Sequence, residues 1–261
     1  MIEVSWALFE TIVLKKLGVA MKVIFGLLVS LSVMLSGCGG GESSGGTTTS
    51  STFNLAQGLA NFAKTGSTNT FNISGTCAGK FLFVIDPATS TSTSEGDTKF
   101  VAKTTTNFTF NAPCSFGGGA RTPRTQANST GMISYDKNYV QAGSDNGSYD
   151  VIREKFIPPT SVRIGDTGSY TVDEYYDSSK QVRIGEIIFT YVVKSDTQSS
   201  VKYELTGNQT FSSGIGSDVT SNKSMFTYRL DANGQMTLLS FEISATFKPG
   251  KGVNYQFIAN L

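Results

Sequence analysis

Leu239-Ser240-Phe241-Glu242-Ile243-Ser244-Ala245-Thr246-Phe247-Lys248 alternates throughout, with Leu, Phe, Ile, Ala and Phe on one side and Ser, Glu, Ser, Thr and Lys on the other. Successive side chains of an extended chain point to opposite faces, so this stretch reads as a strand with one dry and one wet face. Before it, Asp231-Ala232-Asn233-Gly234 is turn chemistry, and Phe226-Thr227-Tyr228-Arg229-Leu230 is the hairpin partner. Val253, Tyr255, Phe257 and Ala259 make a closing strand after the Pro249-Gly250 turn. Upstream, 187–193 and 201–205 pair across Ser195-Asp196-Thr197-Gln198. Further strands are expected near 69–76, 80–85, 98–110, 130–135, 147–156 and 168–176.

About eleven short strands with polar turns and no βαβ rhythm define an all-β protein, an antiparallel sandwich or a meander curled into a half-barrel or barrel. The one helical candidate is Asn54–Lys64, of one or two turns. There Leu55, Leu59 and Phe62 share a face, Asn54 can cap, and Gly66 can end the helix. The folded body is read as residues 53–261, with Pro158-Pro159 marking a sub-boundary near 158–160. A short echo, Val162-Arg163-Ile164-Gly165-Asp166 and Val182-Arg183-Ile184-Gly185-Glu186, reads as equivalent positions in successive hairpins or as chance. A repeat array would need at least three units.

Composition narrows the chemistry. The chain has 261 residues, 21 Lys+Arg against 20 Asp+Glu, and no histidine. There is therefore no imidazole base, no histidine metal ligand and no Ser-His-Asp triad. A net charge of +1 is not the basic surplus that drives binding to nucleic acid. The 32 Ser and 31 Thr fit wet strand faces and polar linkers.

Residues 1–37 stand apart from this body. Met21-Lys22 opens an uncharged run, 23–35, that ends in Ser36-Gly37-Cys38. A basic start, an apolar run of about 7–15 residues and small residues at the cut are the parts of a secretory signal. Leu35-Ser36-Gly37-Cys38 resembles the lipobox of bacterial lipoproteins. The resemblance covers some twenty residues and implies that the leader is cut before Cys38, whose thiol carries a diacylglycerol thioether. Met21 alone opens a complete signal, so it reads as the true start. A Gly/Ser/Thr-rich tether, 38–52, follows. Among lipoproteins of Gram-negative type an Asp after the lipidated cysteine favours inner-membrane retention; Gly39 here points to the outer membrane. The expected partner is thus the membrane, through the N-terminal lipid. Leader removal takes Lys15, Lys16, Lys22, Glu3, Glu10 and the lone Trp6, leaving 18 basic and 18 acidic residues.

The remaining cysteines, Cys77 and Cys114, lie in the exported part at the ends of expected strands, and a disulfide between them is the natural pairing. The tract Asp173-Glu174-Tyr175-Tyr176-Asp177 gathers acids beside aromatics, a combination that can serve sugars. In a strand Asp173 and Asp177 stand roughly 13 Å apart, beyond glycosidase pairs, so the tract reads first as a solvated edge strand with Tyr packing inward; a binding face, a calcium site with Asp166, or one half of a dyad completed from another strand are the alternatives. Gly75-Thr76-Cys77-Ala78-Gly79-Lys80 falls one residue short of a phosphate loop and lacks its Ser/Thr. Ser134-Tyr135-Asp136-Lys137 and Ser199-Ser200-Val201-Lys202 have Ser-x-x-Lys spacing but lie at strand or turn positions, not at a helix start. No catalytic set, metal site or cofactor is expected. The sequence reads as a non-enzymatic envelope lipoprotein. Two alternatives are a carrier of a lipid or other apolar ligand, and a carboxylate-based hydrolase or glycan-binding module.

Overall fold

The computed structural model describes residues 51–92, 98–118, 122–145, 149–152, 157–176, 183–211 and 218–261. Leu35, Ser36, Gly37, Cys38 and most of the tether lie outside the described residues, as does Asp177.

Among the described residues the fold is all-β with one helix, as the alternation requires. Helix α1 spans Leu55–Thr65, three turns rather than one or two. Its start and stop are as read: the Asn54 side chain accepts from Gln57 N at 2.9 Å, and Gly66 N donates to Phe62 O at 3.0 Å. Leu55, Leu59, Phe62 and Ala63 are buried.

Fifteen strands follow among the described residues: β1 Ser67–Gly75, β2 Gly79–Ile85, β3 Thr89–Ser92, β4 Thr98–Cys114, β5 Gly117–Gly118, β6 Arg124–Tyr135, β7 Gln141–Asp145 and β8 Tyr149–Ile152. The second half holds β9 Thr167–Tyr176, β10 Arg183–Thr197, β11 Ser200–Phe211, β12 Val219–Asp231, β13 Met236–Phe247, β14 Gly252–Val253 and β15 Tyr255–Asn260. The main sheet is antiparallel, in the order β2-β1-β15-β13-β12-β11-β10-β9-β8-β7-β6-β4-β3. A further ladder between β2 and β4, from Gly79↔Phe110 to Ile85↔Thr104, joins the two sides of this order. Backbone pairing therefore runs right round a ring of twelve strands, with β3 extending β4 beyond the end of β2. Closing the ring leaves its members no unpaired edge, which a half-open sheet would have to protect.

The quoted strand, β13, carries one departure from strict alternation. Leu238 is 1% exposed and Leu239 is half-buried, because the pairing with β12 slips by one residue between Thr227 and Tyr228. This bulge turns Leu239 off the dry face while Phe241, Ile243, Ala245 and Phe247 keep to it. The turn between β10 and β11 is tighter than the sequence suggests, because β10 runs on to Thr197 and β11 starts at Ser200. β10 itself buries Ile187, Phe189 and Val193 inward and carries Ile188, 42% exposed, on its outer face.

Barrel diameter grows with strand number, and twelve strands enclose more space than aliphatic side chains alone fill. Aromatic rings fill one half. Phe81 packs edge-on against Phe241 at 4.9 Å between centroids, although β1 and β15 lie between their strands. Phe108 lies 4.3 Å from Phe81 and 5.9 Å from Phe257. Such contacts flatten the ring on that side. The outer surface is wet: Thr237 and Thr246 are exposed, Lys194 pairs with Glu204 at 2.6 Å, and Glu242 accepts from Gln256 at 2.7 Å. An apolar inside with a polar outside is the reverse of a membrane-spanning barrel.

Candidate binding site

At one end of the ring β5 pairs with β14, and Phe116 packs edge-on against Phe257 at 5.1 Å. The disulfide between Cys77 and Cys114 forms there as expected, with Cα atoms 6.0 Å apart, and ties the β1–β2 turn to the end of β4. Above it sits a buried amide pair: Asn222 Nδ2 donates to Gln209 Oε1 at 2.7 Å.

Helix α1 covers the other end. Its Gly58 packs against Leu230, Asn61 Nδ2 donates to Gly234 O at 2.8 Å in the β12–β13 turn, and Ala63 O accepts from Ala88 N at 2.9 Å. The segment after β8 holds the entry to the helix: Phe53 and Val162 form a two-bond bridge, and Ala56 N donates to Pro159 O at 3.1 Å. The helix therefore behaves as a lid seated on the ring.

Beneath the lid lies the most unusual chemistry of the interior. Tyr135 on β6, Tyr203 on β11 and Tyr228 on β12 are each 2% exposed, and none of their hydroxyls has a hydrogen-bond partner among the described residues. Thr104 Oγ1 on β4 is in the same state. Tyr203 and Tyr228 are cross-strand partners with rings 6.3 Å apart, and Phe62 of the lid meets Tyr228 edge-on at 5.8 Å. β6 and β12 lie half-way round the ring from one another, yet Tyr135 is close enough to oppose ionisation of Tyr228. Burial pushes all three phenols well above their ordinary range, so they are donors at any physiological pH.

A groove of about 430 Å³ opens beside the lid. Ala56 and Leu59 of α1 form one wall, Tyr139 and Val140 of the β6–β7 turn another, with Ile157 and Pro158 along the rim. The turn is organised by Asp136, whose Oδ1 accepts from Asn138 N at 2.8 Å and Val140 N at 3.0 Å. This holds Tyr139 at φ +60°, left-handed and uncommon for a residue with a side chain. Its ring stacks on Phe100 at 4.2 Å, with Lys64 Nζ 4.7 Å from its centroid. The groove and the buried phenols are contiguous in the chain: Tyr135 precedes Asp136, and Phe62 lies one helical turn after Leu59.

The motifs singled out in the sequence do not assemble here. Asp173, Glu174, Tyr175 and Tyr176 lie in β9, where Asp173 is in register with Ile187 and Glu174 with Glu186. Ser134 Oγ donates to Gly143 O at 3.1 Å, away from any lysine pairing. Lys202 Nζ lies 3.8 Å from Asp196, whose carboxylate accepts from Arg229 and Ser200. The five-residue echo is not a pair of equivalent positions. Its first copy is a turn, with Asp166 Oδ2 accepting from Arg163 N at 2.8 Å, and its second enters β10. Among the described residues no three Asp, Glu or Cys side chains cluster as metal ligands. Sequence reasoning missed the tyrosines as a set, although each sits at an inward position of an alternating strand.

A closed antiparallel barrel, dry inside, wet outside and lidded by a short helix, is the class these features define. Compared with protein-family models, curated proteins and solved structures, the chain matches none.

Proposed function

We propose that the protein is a non-enzymatic lipoprotein of the bacterial envelope, tethered by an acylated Cys38 to the outer membrane and holding its barrel just off the surface. The observation that carries this is the Leu35-Ser36-Gly37-Cys38 sequence at the end of an uncharged run, followed by a tether that leads to Phe53 at the foot of α1. Fourteen Gly/Ser/Thr-rich residues reach roughly 20 Å r.m.s., and two or three acyl chains hold firmly where one does not. The absence of histidine from the sequence supports a binding role over catalysis. The test is Cys38→Ser: the variant is expected to lose acyl label and to be either soluble or left unprocessed with its leader attached. A variant that stays labelled in the membrane overturns the anchor.

A second reading, a carrier of an apolar ligand, is favoured by the groove beside α1, where Leu59, Val140, Ile157 and Pro158 supply apolar lining. Native mass spectrometry of the purified chain is expected to show a co-purified hydrophobic molecule; a clean apo mass argues against it.

A further inference from the structure

Single apolar side chains on a protein surface are ordinary and call for no account. Ile157 and Ile164 differ in degree and in place. They are the two most exposed large hydrophobics of the described residues, at 75% and 59%, and both belong to the segment between β8 and β9. Neither is loosely held. Pro158 and Pro159 restrict the backbone at and after Ile157, and Ala56 N of α1 donates to Pro159 O at 3.1 Å. Ile164 stands on a turn closed by Asp166 Oδ2, which accepts from Arg163 N at 2.8 Å. Two bonds of 2.8 Å, Gly165 N to Val193 O and Val193 N to Asp166 O, pin that turn to β10. Between the two isoleucines Val162 is 1% exposed and bridges Phe53. Fixed backbone thus presents two bulky apolar side chains outward, on either side of the residue against which the tether enters the body.

We infer that the end of the barrel bearing α1, Ile157 and Ile164 is a docking face for the phospholipid bilayer that anchors the chain. The inference rests on the acylated Cys38 and deepens that reading to an orientation. What selects the occupant is the point where the chain outside the body joins it. Residues 39–52 reach roughly 20 Å r.m.s., whereas β13, with 12 residues, is about 40 Å long. A lipid at Cys38 therefore keeps Phe53 and its neighbours near the bilayer and the disulfide end away from it. It also makes docking an intramolecular event. Ile157 and Pro158 rim the groove beside α1, where Leu59 and Val140 continue the apolar surface inward. Lys137 and Arg163, both exposed, have stems that can lie on apolar surface and charges that reach lipid phosphates. Asp136 and Asp166 each turn a carboxylate oxygen into their own turns, at Asn138 N and Arg163 N, and Asp86 is an exposed acid of the same end. Charge here is mixed, and the apolar pair carries the contact.

Quenching by lipid-borne bromine tests it. The full chain is made in a Trp6→Phe background with one new tryptophan: Ile157→Trp, Ile164→Trp or, as the control at the disulfide end, Val253→Trp, where the parent side chain is 39% exposed. Each chain is reconstituted into vesicles of phosphatidylethanolamine and phosphatidylglycerol in equal parts, with and without bromine on the acyl chains. Circular dichroism checks that the sheet is kept. Tryptophan at 157 and at 164 is expected to emit further to the blue and to lose intensity to bromine, and tryptophan at 253 to do neither. Adding Ile157→Ser should lower the docked-to-free ratio read at 164 about three- to tenfold, the worth of partly burying one apolar side chain. Quenching at 157 and 164 no greater than at 253, in a chain that is acylated and floats with the vesicles, overturns the docking face and leaves the anchor standing. A blue shift there without bromine quenching means that protein covers the face, and overturns the bilayer as its occupant. A chain recovered without an acyl group removes the anchor, and the docking face with it.

Discussion

Gly207 of β11 lies opposite Phe189 of β10, and the ring covers it so closely that a Cβ at 207 would stand 2.5 Å from Phe189 Cε1 and 2.9 Å from Ser224 Oγ. A glycine on the inner wall thus makes room for an aromatic ring that is itself 1% exposed. Such pairs let a twelve-strand ring be filled by a few large side chains rather than many small ones.

Gly207→Ala is therefore expected to destabilise, although alanine suits a strand better than glycine in general. The ring has nowhere to go, and overpacking a tight core costs about 1–3 kcal/mol. Urea denaturation should show a lower midpoint with an unchanged slope. A midpoint at or above the parent would mean the ring is free to move.

The amide pair gives a second prediction with opposite signs. Asn222 and Gln209 are cross-strand partners sharing one buried hydrogen bond of 2.7 Å. Asn222→Ala strands the Gln209 amide and should cost about 1–3 kcal/mol, whereas replacing both by Leu removes both desolvation penalties and should be near neutral. Equal losses in the single and double variants would refute the pairing as the relevant interaction.

Reduction tests the Cys77–Cys114 bridge. It spans 37 residues, for which the chain-entropy account gives about 4 kcal/mol. Denaturation with reductant present, or of the Cys77→Ser/Cys114→Ser chain, should come at clearly lower denaturant. The bonding pattern of the ring itself does not need the bridge, so far-ultraviolet circular dichroism of the reduced chain should still report strand.

Asp196 sets the acid limb. The hydrogen bond from Arg229 Nε at 2.6 Å, then that from Ser200 at 2.7 Å, hold its carboxyl below the usual carboxylate range. A depressed folded value means the contribution is present above the unfolded value, about 3.9, and is lost as pH falls through the folded one. The parent should lose more stability than Asp196→Asn on acidification from neutral pH, and the two curves should converge at the acid end. Parallel curves would remove Asp196 from the account.

How far the sequence reaches can be seen residue by residue. The dry faces of β11 and β13 and the capped helix from Asn54 to Gly66 follow from local periodicity, and the structure keeps them. What local pattern misses is set by distant partners. The start of β6, with Gln126 and Asn128 exposed and Ala127 buried, alternates in small and polar residues and reads as loop until β4 supplies its ladder. The slip at Leu239 depends on Thr227 and Tyr228. Ring closure depends on β2 meeting β4 across β3, which no stretch of either announces. The tyrosine set is of the same kind: Tyr135 and Tyr228 are 93 positions apart, and only the ring buries both in one interior.

The alkaline limb belongs to those tyrosines. Burial raises Tyr135, Tyr203, Tyr228 and Tyr255 far above the ordinary phenol value of 10.0. A folded value above the unfolded one contributes stability that is intact below about pH 10 and is lost as pH rises toward the folded values. Exposed phenols should therefore titrate first and smoothly, and the buried set should ionise only in a cooperative step that coincides with loss of the sheet. Following tyrosinate absorbance and circular dichroism in one titration tests this directly, since the sequence carries a single tryptophan, Trp6, against ten tyrosines. Substituting Phe at Tyr203 and Tyr228 removes two of the groups whose ionisation drives the step and should move it to higher pH. If all tyrosines titrate smoothly while the sheet persists, the interior phenols are open to solvent and the dry lumen is wrong.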